Sequence, residues 1–336
     1  MGKSQAAKRS ANSLKNLMAN YKLGITSSRH ALKNFKLLCV LCAFAAGNYF
    51  AQDNASIQNP SDFLLKKIAL EETVRSGNVE QKRDALFQIR NFQTEEASRI
   101  AVPALIDNSE IVRATAAFSV IYLPKDEALS VLLPLLSDKK DFVRREAAYA
   151  LGKVGNANAV NALLKILQKE KVLEVRAASA VALGEIGDAT AVGELVKILQ
   201  RKLSAKEEFV RRSAARSIGQ IAQIIQTNKR KVLTPENFLP DKYNLIETPQ
   251  HPNFVETFPI FRDATNVLIR TLQNPKEFDD VKREAAFALG AMGDESAINV
   301  LRANLNTKDY YLTKICAEAL KKIALAQSML ENKNGK

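Results

Sequence analysis

Among 336 residues there is no tryptophan, and there are only two histidines and three cysteines, so chemistry that depends on clustered imidazoles or thiols has little to draw on. Aromatic residues amount to 7%, yet hydrophobic residues reach 46% and charged residues 25%, which excludes disordered and collagen-like classes. Acidic residues are missing from the first 36 positions, which carry eight basic ones: Lys3, Lys8, Arg9, Lys15, Lys22, Arg29, Lys33 and Lys36. This leader supplies most of the net charge of +13, and the rest of the chain holds 41 basic against 36 acidic side chains. A basic total that would suggest nucleic-acid binding is therefore a property of the leader, and no nucleic-acid partner is expected for the remaining chain. Long apolar runs are missing too. The stretch Leu37 to Gly47 falls short of the roughly 20 residues that a membrane span needs, so no transmembrane helix is expected.

A basic leader followed by a short apolar run and the polar segment after Ala51 has the layout of a signal peptide over residues 1–51. Cleavage is expected after Ala45 or Ala51, and Met18 is an alternative start. The mature protein would then be extracytoplasmic, periplasmic or secreted. The competing expectation is import into an organelle, because the leader is also rich in Ser, Lys and Arg and free of acids. Cys39 and Cys42 form a CxxC inside the apolar run, with no second ligand pair, so neither a zinc nor a redox site is expected there. With the leader removed only Cys316 remains, and stability rests on the core without an internal disulfide.

Beyond a linker and cap helix at residues 52–80, the chain repeats itself. VRREAAYALGKVG from Val143 recurs as VRAASAVALGEIG from Val175, VRRSAARSIGQIA from Val210 and VKREAAFALGAMG from Val281, with weaker copies from Gln81, Val112 and Leu312. Successive anchors are a little over thirty positions apart, except that the step from Val210 to Val281 is about twice as long. Small residues four and five positions after the anchor, as at Ala147 and Ala148, and a large aliphatic eight after it, as at Leu151, share one face of a helix that can approach a neighbour closely. A GxxG sequence with Asn or Asp behind it, as Gly152, Gly155 and Asn156, predicts a turn into a second helix. That second helix carries Leu132, Leu163, Leu195 and Leu301, all at one fixed offset from their anchors Val112, Val143, Val175 and Val281. The unit is helix, turn, helix.

With these copies the chain resembles the HEAT repeat superfamily, and specifically the HEAT-like repeats of phycobilisome bilin lyases, over about residues 81–325. The resemblance implies an all-α fold: an α-solenoid of antiparallel helix pairs over residues 81–330, with about six full repeats, terminal caps and a polar tail at 331–336. A single pair cannot bury its apolar face without a stacked neighbour, which agrees. The family's structural account of the Arg or Lys next to each anchor, at Arg113, Arg144 with Arg145, Arg176, Arg211 with Arg212, and Lys282 with Arg283, is pairing with acids between adjacent repeats, with Glu110, Asp141, Glu174, Glu208 and Asp280 as nearby acids. Iron-binding relatives that hydroxylate deoxyhypusine use repeated His-Glu pairs, which this chain lacks. No metal, cofactor or catalytic residue is expected.

Two groups of residues remain as candidate binding sites. In the Val210 repeat the first leucine of the second helix is Leu268, far beyond the offset that the other copies keep, so a long segment is inserted at about 225–262. The insertion holds five of the ten prolines along with Phe238, Tyr243, His251, Phe254, Phe258 and Phe261. These rings either pin the segment to the solenoid as a satellite core or form a binding surface. On the second helices Lys165, Lys197 and Arg270 occupy one aligned position, and Gln168, Gln200 and Gln273 lie one helical turn further on. This row is either a solvated face or a polar ridge that receives an acidic or amide-rich segment. The expectation is an exported, non-enzymatic scaffold that binds a protein or peptide through its concave surface and the Pro/aromatic insertion, as a monomer or part of a hetero-complex. The alternative is an enzyme or enzyme subunit resembling bilin lyases, with the insertion closing a ligand cavity.

Overall fold

The computed structural model describes residues 60–229 and 249–334. The leader, the cleavage positions and the linker up to residue 59 lie outside them. Contacts separate residues 1–66 from residues 67–336. Every regular element among the described residues is helical. Helix α1 spans Pro60–Ser76. The helices that carry the anchors follow as α2 (Val79–Phe92), α4 (Glu110–Ser119), α6 (Asp141–Val154), α8 (Leu173–Ile186), α10 (Glu208–Thr227), α13 (Asp279–Met292) and α15 (Tyr310–Asn334). Their partners are α3 (Glu95–Ala101), α5 (Lys125–Leu132), α7 (Val160–Lys169), α9 (Val192–Gln200), α12 (Phe261–Gln273) and α14 (Ile298–Ala303), with α11 (Phe254–Thr257) a single turn ahead of α12. Among residues 67–336 the anchor helices stack on one another in sequence order as one layer, and the partner helices stack more loosely as a second. This is an α-solenoid.

The ends of these helices follow from a few side chains. Asn78 and Gln81 form a reciprocal capping box at the start of α2. Asn156, Asp188 and Asp294 each accept the N–H two residues on, at 3.0, 2.8 and 2.9 Å, and so start the 3₁₀ turns that lead into α7, α9 and α14. Ahead of them Gly155, Gly187 and Gly293 sit at φ 60°, 82° and 70°, the left-handed conformation that closes an anchor helix. The GxxG sequence is therefore a turn only at its second glycine. Gly152, Gly184 and Gly290 lie inside their helices and face the next anchor helix. A Cβ on Gly290 would stand 2.6 Å from the Cβ and 2.7 Å from the Cα of Ala319.

The core is built on the predicted positions. Val112, Val143, Val175, Val210 and Val281 are fully buried, as are Ala147, Ala148, Leu151, Leu163, Leu195 and Leu268. Gln81 departs from this: it is exposed and capping, and Ala85, Leu86 and Ile89 fill that part of the core. The long spacing is also accounted for in part. Helix α10 has 20 residues where α6, α8 and α13 have 14, so it runs through Thr227, past the expected boundary at 225, and Phe261 and Arg262 already belong to α12.

Candidate functional site

The basic ladder is present. Asp280 pairs with Arg212 of the preceding anchor helix at 3.5 Å, and the pairs of Arg113, Arg144, Arg176 and Arg211 use acids that are not adjacent in sequence. Arg113 holds Asp138 at 2.8 and 3.0 Å, Arg144 holds Glu170 at 2.8 and 3.2 Å, Arg176 holds Glu207 at 3.0 Å, and Arg211 makes a two-pronged pair with Glu277. Each acid lies in the connection that enters the next anchor helix, so every pair ties two repeats together. Arg211 also donates to the carbonyls of Ile198, Leu199 and Arg201 where the preceding partner helix ends, and so satisfies acceptors that a helix terminus leaves open. At the last anchor the register slips by one: Arg283 pairs with Asp309 at 2.9 Å and Lys282 with Asp279. The Arg113 guanidinium holds Asp138 below the usual carboxylate range. Burial alone would raise Glu170, and Arg144 with two backbone N–H groups outweighs it.

The ridge residues Lys165, Gln168, Lys197, Gln200, Arg270 and Gln273 are all exposed, on α7, α9 and α12. Two of them share a carboxylate. Lys197 bonds Glu194 at 2.6 Å, Gln168 also bonds it from the neighbouring helix, and together they lower its pKa.

The inserted segment is closed at its neck. The Gln226 side chain accepts the His251 N–H at 2.9 Å and donates to the His251 carbonyl at 3.0 Å, and the Gln250 N–H donates to the Gln226 carbonyl at 3.0 Å. Below the neck the rings continue inward: His251 stands edge-on to Phe258 at 5.0 Å, Phe258 meets Phe254 at 5.1 Å, and Phe254 meets Phe261 at 4.8 Å. Phe254 is 1% exposed and Phe261 0%, so neither offers a partner any surface. The binding assignment is corrected for these two. They are the satellite core, because a buried ring pair with centroids about 5 Å apart is packing. Phe258 and His251 are half-buried at its rim. Phe238 and Tyr243 lie outside the described residues.

A second polar cluster was not foreseen. Glu284 on α13 is buried, with Arg216 and Arg212 of α10 at 3.8 and 3.9 Å. Burial pushes its carboxyl up to about 7 against the pull of the two guanidinium groups. The sequence signal available was an acid three positions after an anchor, where the Val175 and Val210 copies place a small residue. Cys316 is buried in the anchor layer and its thiol is pushed up to about 12 by burial, which leaves it unreactive. No group of three or more His, Cys, Asp or Glu side chains among the described residues is placed to hold a metal ion. No helix among them is long and apolar enough to cross a membrane.

The family model for HEAT repeats matches residues 98–184 and 260–328, and that for the PBS lyase HEAT-like repeat matches residues 175–201. The chain is a HEAT-repeat protein. Among curated proteins none matches it significantly. Similar solved structures include a karyopherin bound to the extreme C-terminus of a protein phosphatase, at 13% identity and a TM-score of 0.51 over 89% of this chain and 33% of that one. Another is the complex of CpcE and CpcF of phycocyanin lyase from Nostoc sp. PCC7120, at 18% identity and 0.44 over 79% and 94%. A third is a designed armadillo repeat protein in complex with the peptide (KR)4, at 16% and 0.38 over 76% and 98%. At such identities the likeness is one of fold. The neck and the inserted segment fall between the two stretches matched by the HEAT model.

Proposed function

We propose that this HEAT-repeat protein is an exported, non-enzymatic scaffold that binds a protein or peptide through the face of its partner helices, with the inserted segment as a second recognition element. The observation that carries the reading is the ridge. Six long polar side chains at two aligned positions stay exposed on three stacked helices, while Leu163, Leu195 and Leu268 on the same helices are fully buried. The closed neck adds to it: the bonds between Gln226 and His251 hold the two flanks of the inserted segment together.

The test is affinity capture from the native extract, with mass spectrometry on what is retained, using the full chain and a variant in which residues 230–248 are replaced by a short glycine-containing turn. A partner held by the first and lost by the second places recognition at the inserted segment. A partner held by both places it on the ridge, and is then released by Lys165→Glu with Arg270→Glu. Retention of nothing by either overturns the scaffold reading.

A further inference from the structure

We propose that the segment received by the partner-helix face is acidic, and that it seats a carboxylate in the basin between α7 and α8. This rests on the scaffold reading above and adds the chemistry of what is bound.

The basin is a shallow, open depression of about 500 Å³. Its rim carries Lys165, Lys169 and Lys171, all exposed, and its apolar floor is Ile166 and Val172. The carboxylate in its wall, Glu170, is fully engaged. One oxygen accepts from Arg144 Nε, and the other from Arg144 Nη2 and the backbone N–H groups of Lys171 and Val172. The Arg144–Glu170 pair is therefore neutral and saturated, and it leaves three ammonium groups around one concavity without an ion-pair partner among the described residues. The exposed acid nearby, Glu174, does not line it. In the next repeat Lys202 and Lys206 are also exposed, beyond the end of α9.

Like charges gathered at a concavity repel one another, and an anion placed among them relieves that repulsion. A peptide fits better than a nucleic acid. The basin has an aliphatic patch of Ile166 and Val172 and no aromatic ring on which a base would stack. On the same partner-helix face Gln200 presents an exposed amide, which carries both a donor and an acceptor for a peptide backbone. At about 10 Å between stacked helices and about 3.4 Å per extended residue, neighbouring repeats are spanned by roughly three peptide residues.

The experiment is fluorescence anisotropy on the full chain with three labelled probes: a Glu-rich peptide of roughly twelve residues, which spans about four repeats, its Lys-rich counterpart, and a single-stranded oligonucleotide of matched charge. The Glu-rich peptide is expected to bind best and to lose about tenfold in affinity in the variant Lys165→Glu, Lys169→Glu, Lys171→Glu. The three side chains are exposed, so helix content by circular dichroism should not change. Reversal at two distant exposed acids, Glu96→Lys with Glu295→Lys, should leave binding as it was. Affinity that survives the triple reversal lies outside the basin and overturns the proposal, as does equal binding of the Glu-rich and Lys-rich peptides. An oligonucleotide bound as tightly as the peptide, and lost by the same reversal, overturns it in favour of a phosphate site. If a partner is retained in the capture experiment while the Glu-rich peptide is ignored, the charge assignment fails and the scaffold reading stands.

Discussion

Arg211 and Glu277 are 3% and 1% exposed, which makes them the most deeply buried ion pair among the described residues. Removing one partner of a buried pair strands the other, so Arg211→Met should cost about 3–5 kcal/mol in urea denaturation, and the double change with Glu277→Leu should recover at least half of it. Glu284 makes a different statement. With its carboxyl at about 7 in the folded protein against 4.5 for an ordinary glutamate, the native state holds a proton that the unfolded chain has released between those values. Its contribution to stability is therefore intact below about 4.5 and falls as pH rises through about 7, by at most about 3 kcal/mol. The Glu284→Gln variant should show a flatter melting temperature between about pH 5 and pH 8, read by differential scanning calorimetry. The ladder arginines were legible in the sequence because they recur beside every anchor. Their acids were not, because the acids adjacent in sequence, such as Glu110 and Asp141, compete with acids brought close only by the next connection.

Close approach of helices rests on glycine in two opposite ways. Gly290 faces Ala319 at distances no real Cβ tolerates, so Gly290→Ala should destabilise by about 1–3 kcal/mol, whereas Gly193, with nothing within 4 Å, should tolerate alanine or gain up to about 1 kcal/mol. Paired chemical denaturation of the two variants tests both signs. The period of the repeat revealed the helices, since apolar spacing reports which face is buried. It did not show that the first glycine of GxxG is helical, because a glycine in contact with a neighbour and a glycine in a turn are the same letter. The neck escaped for a similar reason: Gln226, a glutamine near a helix end, has no signature until His251 is seen beside it. Replacing residues 230–248 by a short turn should leave the melting temperature within a few degrees. Phe254→Ala should cost about 3–5 kcal/mol because it opens the ring cluster, and thermal unfolding by circular dichroism separates the two.

At the scale of the whole molecule each layer is covered by the next, and α15 covers α13. Helix α15 buries Leu312, Ile315, Cys316, Ala319, Ile323 and Ala326, while Lys314 and Lys321 are exposed together with Tyr310 and Tyr311. A chain ending at Lys308 should expose the small-residue face of α13 and self-associate, seen as early elution in size-exclusion chromatography at a concentration where the full chain elutes normally. The closed neck between Gln226 and His251 carries its own implication for how this molecule changes over generations. Because Gln226 and His251 meet at one hydrogen-bonded point, a change of length between them can leave that closure in place. Selection can then rewrite what the segment meets while the inherited frame stays the same, so divergent copies of this protein should differ most between residues 230 and 248 and least in the ring cluster beneath.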